Sequence, residues 1–259
     1  IVRELAPVHE VRKERRPRPQ DKRVWASVRQ EPRVVIAEMF DEARGRDPEG
    51  THPWVVLVDG QEHQLRLIRH EVKRRRVAVT LILDLFHVLE YLWAAAFAFH
   101  AEGSAEAELW VRTQLLSLLR GRVSQVAAAM RRRATVRAFP ASKRAAVDKC
   151  ADYLLKYRDM LRYDQYLAAG YPIGTGVIEG ACRYLVKDRM ERTGARWTLH
   201  GAEAVLRLRA LWTNGDFEEY WTFHLDREYE RNHASQLDAV SQAGHAQSSS
   251  WASHVELIK

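Results

Sequence analysis

Trp54-Val55-Val56-Leu57-Val58-Asp59-Gly60 and, further along, Val77-Ala78-Val79-Thr80-Leu81-Ile82-Leu83-Asp84 are the stretches on which the reading of this chain turns. Each is a short apolar run rich in β-branched residues and without polar alternation, the pattern of a strand covered on both faces. Each ends in an aspartate, at the carboxyl end of a buried-type strand, where loops assemble sites around an emerging side chain. Asp59-Gly60 is equally a plain turn pair. Between the runs, residues 64–68 read as a third short strand and 69–76 as a basic turn.

From Asp84 the pattern changes to helix. Asp84, His87 and Glu90 or Tyr91 fall on one face at 3.6 residues per turn, while Leu85-Phe86, Val88-Leu89 and Leu92-Trp93 are apolar. Polar groups on such a helix cost free energy unless they bind one another, a metal or a substrate. An N-cap aspartate with a hydrogen-bonded core histidine satisfies the same pattern. Residues 85–166 continue as three or four helices, broken near Gly103, Gly121 and Phe139-Pro140. Upstream, 33–44 reads as a helix that stops in the turn-forming stretch 45–53.

Residues 1–33 carry ten Lys and Arg against five acids, with Pro17 and Pro19 in the densest part, and read as an exposed basic arm or linker. Such an arm is either merely solvated or touches phosphate. Beyond the helical block, Pro172-Ile173-Gly174-Thr175-Gly176 is a glycine-flanked loop that lets a backbone or a phosphate approach closely. Glu179 then opens a helix over 177–192, which places Glu179, Arg183 and Lys187 at four-residue steps with Arg189, Arg192 and Arg196 nearby. A carboxylate followed by aligned bases suits a site that holds a metal and a nucleic-acid backbone together; an amphipathic helix laced with salt bridges gives the same spacing. Helices follow at 199–211 and 216–232, and 234–259 is too poor in apolar residues to pack and reads as a disordered tail.

The 259 residues carry 41 Lys and Arg against 34 Asp and Glu, a net charge of +7, which makes a polyanion such as nucleic acid a fitting partner. Cys150 and Cys182 stand apart, so neither a disulfide framework nor a cysteine zinc site is read. The longest apolar run, 85–99, is short and interrupted by His87 and Glu90, so no membrane span is expected. No secretory signal opens the chain, and a cytoplasmic, nucleoid-associated location is expected. The triplet Arg131-Arg132-Arg133 reads as a solvated face and the tryptophans as core.

Together, Val55-Val56-Leu57-Val58-Asp59-Gly60, Leu81 through Trp93, and Tyr171-Pro172-Ile173-Gly174-Thr175-Gly176-Val177-Ile178-Glu179-Gly180 resemble bacterial insertion-sequence transposases of the ISKra type, related to the Mutator-like group. The likeness continues through Lys187-Asp188-Arg189-Met190-Glu191-Arg192-Thr193-Gly194-Ala195-Arg196-Trp197 and runs from about residue 23 to about residue 232.

The resemblance implies an α/β fold, mostly helical overall: an RNase H-like catalytic core with a large all-helical insertion. On that division 34–84 holds part of the core strands, 85–166 the insertion and 167–233 the C-terminal core helices. The implied chemistry is of the DDE type, in which three carboxylates bind two Mg²⁺ or Mn²⁺ ions that cut a phosphodiester and let the freed 3′-hydroxyl attack target DNA. Asp59 resembles the second carboxylate and Glu179 the third, both metal ligands, while Asp84 and His87 match a D-x-x-H element. Arg183, Lys187, Arg189, Arg192 and Arg196 are the expected DNA contacts, double-stranded element ends and target DNA the partners, and self-association of the chain is expected.

In that family the first carboxylate sits on a strand upstream of the segment matching Arg23-Val24-Trp25-Ala26-Ser27. Here Asp21 lies among charged residues and prolines, so the core is read as incomplete at the N-terminus, as in a truncated copy. Asp59, Asp84 and Glu179 forming the triad directly is the simpler assignment. The function expected is DNA cleavage and strand transfer of an insertion sequence. The alternative is a catalytically inactive remnant that only binds DNA, and a third reading is a helical protein whose basic surface merely keeps it in solution.

Overall fold

The computed structural model describes residues 20–192 and 194–233 and is mostly helical, with a small two-stranded sheet. The first nineteen residues of the expected basic arm and the whole expected tail lie outside the described residues. By contacts the described residues divide into two compact units, one of residues 29–187 and the other of 20–28 with those between 188 and 233.

In the larger unit, helix α1 (Pro32–Arg46) is followed by strand β1 (Trp54–Val58), helix α2 (Glu62–Arg75) and strand β2 (Val79–Leu83). Proline is tolerated in the first turn of α1 because its missing N–H would have no helical partner there. The two strands pair in parallel, Trp54 against Val79 through Val58 against Leu83. Parallel partners need a crossover, and α2 supplies it. The ladder runs one step further, since the Asp84 N–H donates to the Val58 carbonyl at 2.8 Å.

The expected third strand at 64–68 is instead the middle of α2, and the expected basic turn at 69–76 is its last turns and cap. Leu65, Ile68 and Glu71 turn inward at helical spacing, a pattern that shows only over a stretch longer than the five-residue window that looked like a strand. Arg76 ends the helix in the left-handed region at φ 55°, its N–H donating to the Lys73 and Val72 carbonyls.

The helical block holds α3 (Leu85–Phe99), α4 (Ala105–Leu119), α5 (Val123–Val136), α6 (Ala141–Lys156), a 3₁₀ turn (Arg158–Met160) and the short α7 (Tyr163–Ala168). The breaks fall at the expected glycines and proline. Gly103 and Gly121 both have φ of 74°, which explains why glycine stands at those turns. The α3 face of Val88, Leu92, Ala95, Ala96 and Phe99 is buried, as are Val147, Cys150, Ala151 and Leu154 of α6, so α3 and α6 pack through small and branched side chains. Ser104 caps α4, its hydroxyl accepting from the Ala107 N–H at 3.2 Å. Ser104→Ala is expected to lower unfolding stability by about 1 kcal/mol, the usual worth of a serine N-cap; urea denaturation checks it, and an unchanged midpoint would show that the cap contributes nothing.

After a loop, α8 (Gly176–Cys182) runs into a π-helical turn, Arg183–Lys187, which closes this unit. The single straight helix expected over 177–192 is thus interrupted. A π turn takes in an extra residue, so Lys187 does not continue the line of Glu179 and Arg183 that regular helical spacing predicts.

The other unit contains α9 (Asp188–Met190), α10 (Leu199–Asn214) and a further helix over 217–233. Residues 20–28 lie along α10. The Arg23 guanidinium meets both Asp216 oxygens, the Val24 N–H donates to and its carbonyl accepts from the Asn214 side-chain amide, and the Ser27 hydroxyl and Val28 N–H both donate to Glu203 at 2.8 and 3.0 Å. Burial works to raise the Glu203 pKa, but these bonds and Arg207 outweigh it and hold the carboxyl below its usual value.

Candidate functional site

The parallel register sets the site. Val58 pairs with Leu83, so the residues that follow, Asp59 and Asp84, leave the same end of the sheet side by side. Their carboxylates are used differently.

Asp84 is 3% exposed. Its Oδ1 accepts from the Phe86 N–H at 3.3 Å, capping α3, and from the Thr175 N–H at 2.9 Å; Oδ2 accepts from the Thr175 hydroxyl at 2.5 Å. The adjacent Leu85 N–H donates to the Ile173 carbonyl at 2.9 Å. The glycine loop is therefore tied to the end of β2, and glycine at 174 has a packing reason, since a Cβ there would stand 3.1 Å from the Phe86 ring. Thr175 in turn accepts the Glu179 N–H at 3.0 Å through its carbonyl. The buried carboxylate thus fixes the start of the helix that carries Glu179, whose own side chain is exposed.

Asp59 is half-exposed and turned to an open pocket of about 420 Å³ lined also by Gly60, Gln61, His87, Glu90, Tyr91, Tyr153, Lys156 and Tyr157. Its Oδ1 accepts from the Gln61 N–H at 2.8 Å, and its Oδ2 lies 3.9 Å from His87 Nε2. The other ring nitrogen, Nδ1, is 3.1 Å from Glu90 Oε2. Burial works to lower the His87 pKa, but the hydrogen bond and charge of Glu90, with Asp59 and Asp84 behind, hold it above the ordinary histidine value.

Four tyrosines of the helical block reach the backbone of the two strands, three of them at the strand ends. Tyr153 donates to the Asp59 carbonyl at 3.0 Å, Tyr157 to Gly60 at 2.6 Å and Tyr163 to Leu83 at 2.7 Å, while the Tyr166 hydroxyl lies 3.1 Å from the Asp159 carbonyl and 3.5 Å from that of Leu81 in the middle of β2. Tyr91 stacks on Tyr153 with ring centres 3.8 Å apart, and Lys156 pairs with Glu62. Gly60, at φ 91°, sits where a Cβ would press on Tyr157, Leu83 and Tyr153 at 3.2 to 3.3 Å. Burial pushes the Tyr153 and Tyr163 hydroxyls above their ordinary pKa, so both stay protonated donors.

The structure therefore brings Asp59, Asp84 and His87 together at one sheet end and ties the Glu179 helix to it through Thr175. Glu179 does not line the Asp59 pocket. Arg183 and Lys187, both exposed, follow Glu179 through the π turn. Arg189, Arg192 and Arg196 are exposed in the other unit, where Arg189 lies over the Trp197 ring at 5.7 Å and Arg192 donates to the Asp188 carbonyl at 3.1 Å. The sequence reading missed Thr175 and the four tyrosines. The available signal was four tyrosines within the fourteen residues 153–166, because a buried phenol needs a partner for its hydroxyl.

The donor chemistry at Asp59 and Glu179 fits the hard divalent ions that the family resemblance implies, since both are accessible carboxylates. Among the described residues no group of three or more His, Cys, Asp and Glu side chains closes around a single ion. Mg²⁺ is commonly held by one or two carboxylates, with water and substrate phosphate completing its shell. No helix among the described residues is long and apolar enough to cross a membrane. No protein-family model, no curated protein and no solved structure matches the chain.

Proposed function

We propose that this chain is a DNA transposase polypeptide of the DDE type, acting in cleavage and strand transfer of an insertion sequence, with residues 54–84 belonging to an RNase H-like core. The observation that carries the reading is the convergence of three separate segments. Asp59 and Asp84 leave adjacent parallel strands at one end, and the Asp84 carboxylate holds Thr175 at the start of the helix bearing Glu179. The long helical block enters between the second strand and that helix. The arrangement agrees in order with the resemblance in the sequence, and each carboxylate has a distinct part.

In this reading Asp59 and Glu179 hold Mg²⁺ or Mn²⁺, and Asp84 is a positioning residue. The bound ions supply activation of water and stabilisation of charge on the phosphate oxygens. The chain itself binds the DNA backbone through Arg183 and Lys187 and, in its other unit, through Arg189, Arg192 and Arg196, whose charge fixes register on phosphates without reading sequence. The tyrosines hold the strand ends rigid, so that Asp59 is presented on a fixed backbone. Element ends and target are double-stranded DNA, and strand transfer at two ends calls for two copies of the chain.

The test is divalent-ion-dependent nicking of DNA carrying element ends by the full chain. Glu179→Gln and Asp59→Asn are each expected to reduce nicking at least ~100-fold, a loss of roughly 3 kcal/mol of transition-state stabilisation, while DNA affinity changes little. Nicking that survives both substitutions would remove the proposed site. The second reading, a DNA-binding protein without catalysis, is favoured by one observation, that Glu179 does not line the pocket into which Asp59 faces. It expects salt-sensitive DNA binding and no nicking at any protein concentration.

A further inference from the structure

The gap between Asp59 and His87 is close to that of an ion site. His87 Nε2 and Asp59 Oδ2 are 3.9 Å apart, too far for a hydrogen bond; an ion with bonds of about 2.1 Å to each at tetrahedral or octahedral angles holds two such atoms roughly 3.0 to 3.4 Å apart, an approach that a small turn of either partly exposed side chain supplies. The far side of the ring is prepared for the same purpose. Glu90 Oε2, 3.1 Å from Nδ1, selects the tautomer that carries its proton on Nδ1 and leaves the Nε2 lone pair facing Asp59. A carboxylate behind a histidine is the usual outer support of a metal-bound imidazole; it fixes the ring and raises its basicity. Both groups are partly exposed at the rim of an open pocket, so an ion could enter with its water.

We propose that Asp59 and His87 form a two-residue binding site for a first-row divalent transition ion, with Glu90 as the support behind His87. An imidazole ligand discriminates by chemistry. Mg²⁺ takes oxygen donors and sheds water reluctantly, whereas Mn²⁺, Co²⁺ and Zn²⁺ accept a mixed nitrogen and oxygen set. With two protein donors, the remaining positions belong to water and to phosphate oxygens of a bound nucleic acid. The inference depends on the transposase reading only for what the ion would do; the site itself stands on the Asp59, His87 and Glu90 geometry.

The experiment is a Mn²⁺ titration of the full chain followed by electron paramagnetic resonance, with electron spin-echo modulation to detect directly bound nitrogen. Expected are a bound Mn²⁺ showing imidazole nitrogen coupling, affinity at least ~10-fold above that for Mg²⁺ in competition, and loss of the nitrogen signal in His87→Asn. Asp59→Asn is expected to weaken binding at least ~10-fold, and Glu90→Gln by ~10- to 100-fold with the nitrogen signal retained. Glu90 is well exposed, so its variant keeps the fold if His87→Asn does not. Bound Mn²⁺ without nitrogen coupling, coupling that persists in folded His87→Asn, or affinity unchanged in Glu90→Gln would each overturn the proposal. Mn²⁺ bound through His87 in a chain that never nicks DNA would leave this site standing and remove the transposase reading instead.

Discussion

Asp84→Ala is expected to cost the larger unit about 3 kcal/mol of stability and to release the loop 173–176 from the end of β2. The carboxylate is 3% exposed and accepts three hydrogen bonds, from Phe86 N, Thr175 N and the Thr175 hydroxyl. Bonds to a charged group contribute about 1.5 to 3 kcal/mol each in isolation, and a lost N-cap about 1; they are not additive, because one relaxation frees all three donors. Chemical unfolding gives the magnitude, and hydrogen exchange at Leu85 and Thr175, whose amides are bonded to Ile173 and Asp84, gives the place. Fast exchange at both amides with the core helices still protected is the expected pattern. A stability loss below ~1 kcal/mol with both amides still protected would mean that the loop is held by something other than Asp84. Because Asp84 is a positioning residue in this account, Asp84→Asn, which keeps the shape but offers an amide group towards the Thr175 donors, is expected to impair nicking through the placement of Glu179 while leaving Mn²⁺ coupling to His87 intact.

Glu71→Gln is expected to lower stability at neutral pH by about 2 to 3 kcal/mol. Glu71, 4% exposed on α2, accepts from Arg74 at 2.6 Å and from Arg75 Nε at 2.8 Å. Arg75 also donates to Asp41 and to the Ala37 carbonyl of α1, so the cluster joins the two helices. Removing one partner of such a pair strands the charge of the other, which costs about 3 to 5 kcal/mol when both are buried; the half-exposed Arg74 brings the figure to the low end. The Arg74 hydrogen bond, opposed by burial and reinforced by Arg75, lowers the Glu71 carboxyl from 4.5 to about 2. A lowered folded-state pKa means that the native state binds fewer protons than the unfolded chain above that value. The stabilisation is therefore complete above about pH 4.5 and fades as pH falls towards 2. The difference between wild type and Glu71→Gln is expected to be full at pH 7 and nearly gone at pH 2; a difference independent of pH would show that the side chain acts through shape and not through charge.

Much of this protein was set by the sequence alone. The two uninterrupted β-branched runs ending in Asp59 and Asp84 specify short strands, but not the burial expected of them: only Val58, Ile82 and Leu83 are buried and the other strand residues are half-buried. The long Ala- and Leu-rich stretch with breaks at Gly103, Gly121 and Pro140 specifies the helices and their turns. What the tertiary structure decided is where local patterns are ambiguous or carry no long-range information. Residues 64–68 look like a strand in a five-residue window and become helix because Leu65, Ile68 and Glu71 meet the core and α1 at a longer period. The π turn at 183–187 breaks a spacing that a regular helix would keep. The parts given to Asp59 and Asp84 were equally hidden, since both follow a strand in the same way. Only the burial of Asp84 against Thr175, ninety-one residues away, makes it a clamp, and only the fold leaves Asp59 partly exposed beside His87 in an open pocket. A sequence names its ionisable groups; whether a carboxylate binds its own backbone or something from outside is settled by which donors the fold brings within 3 Å of it.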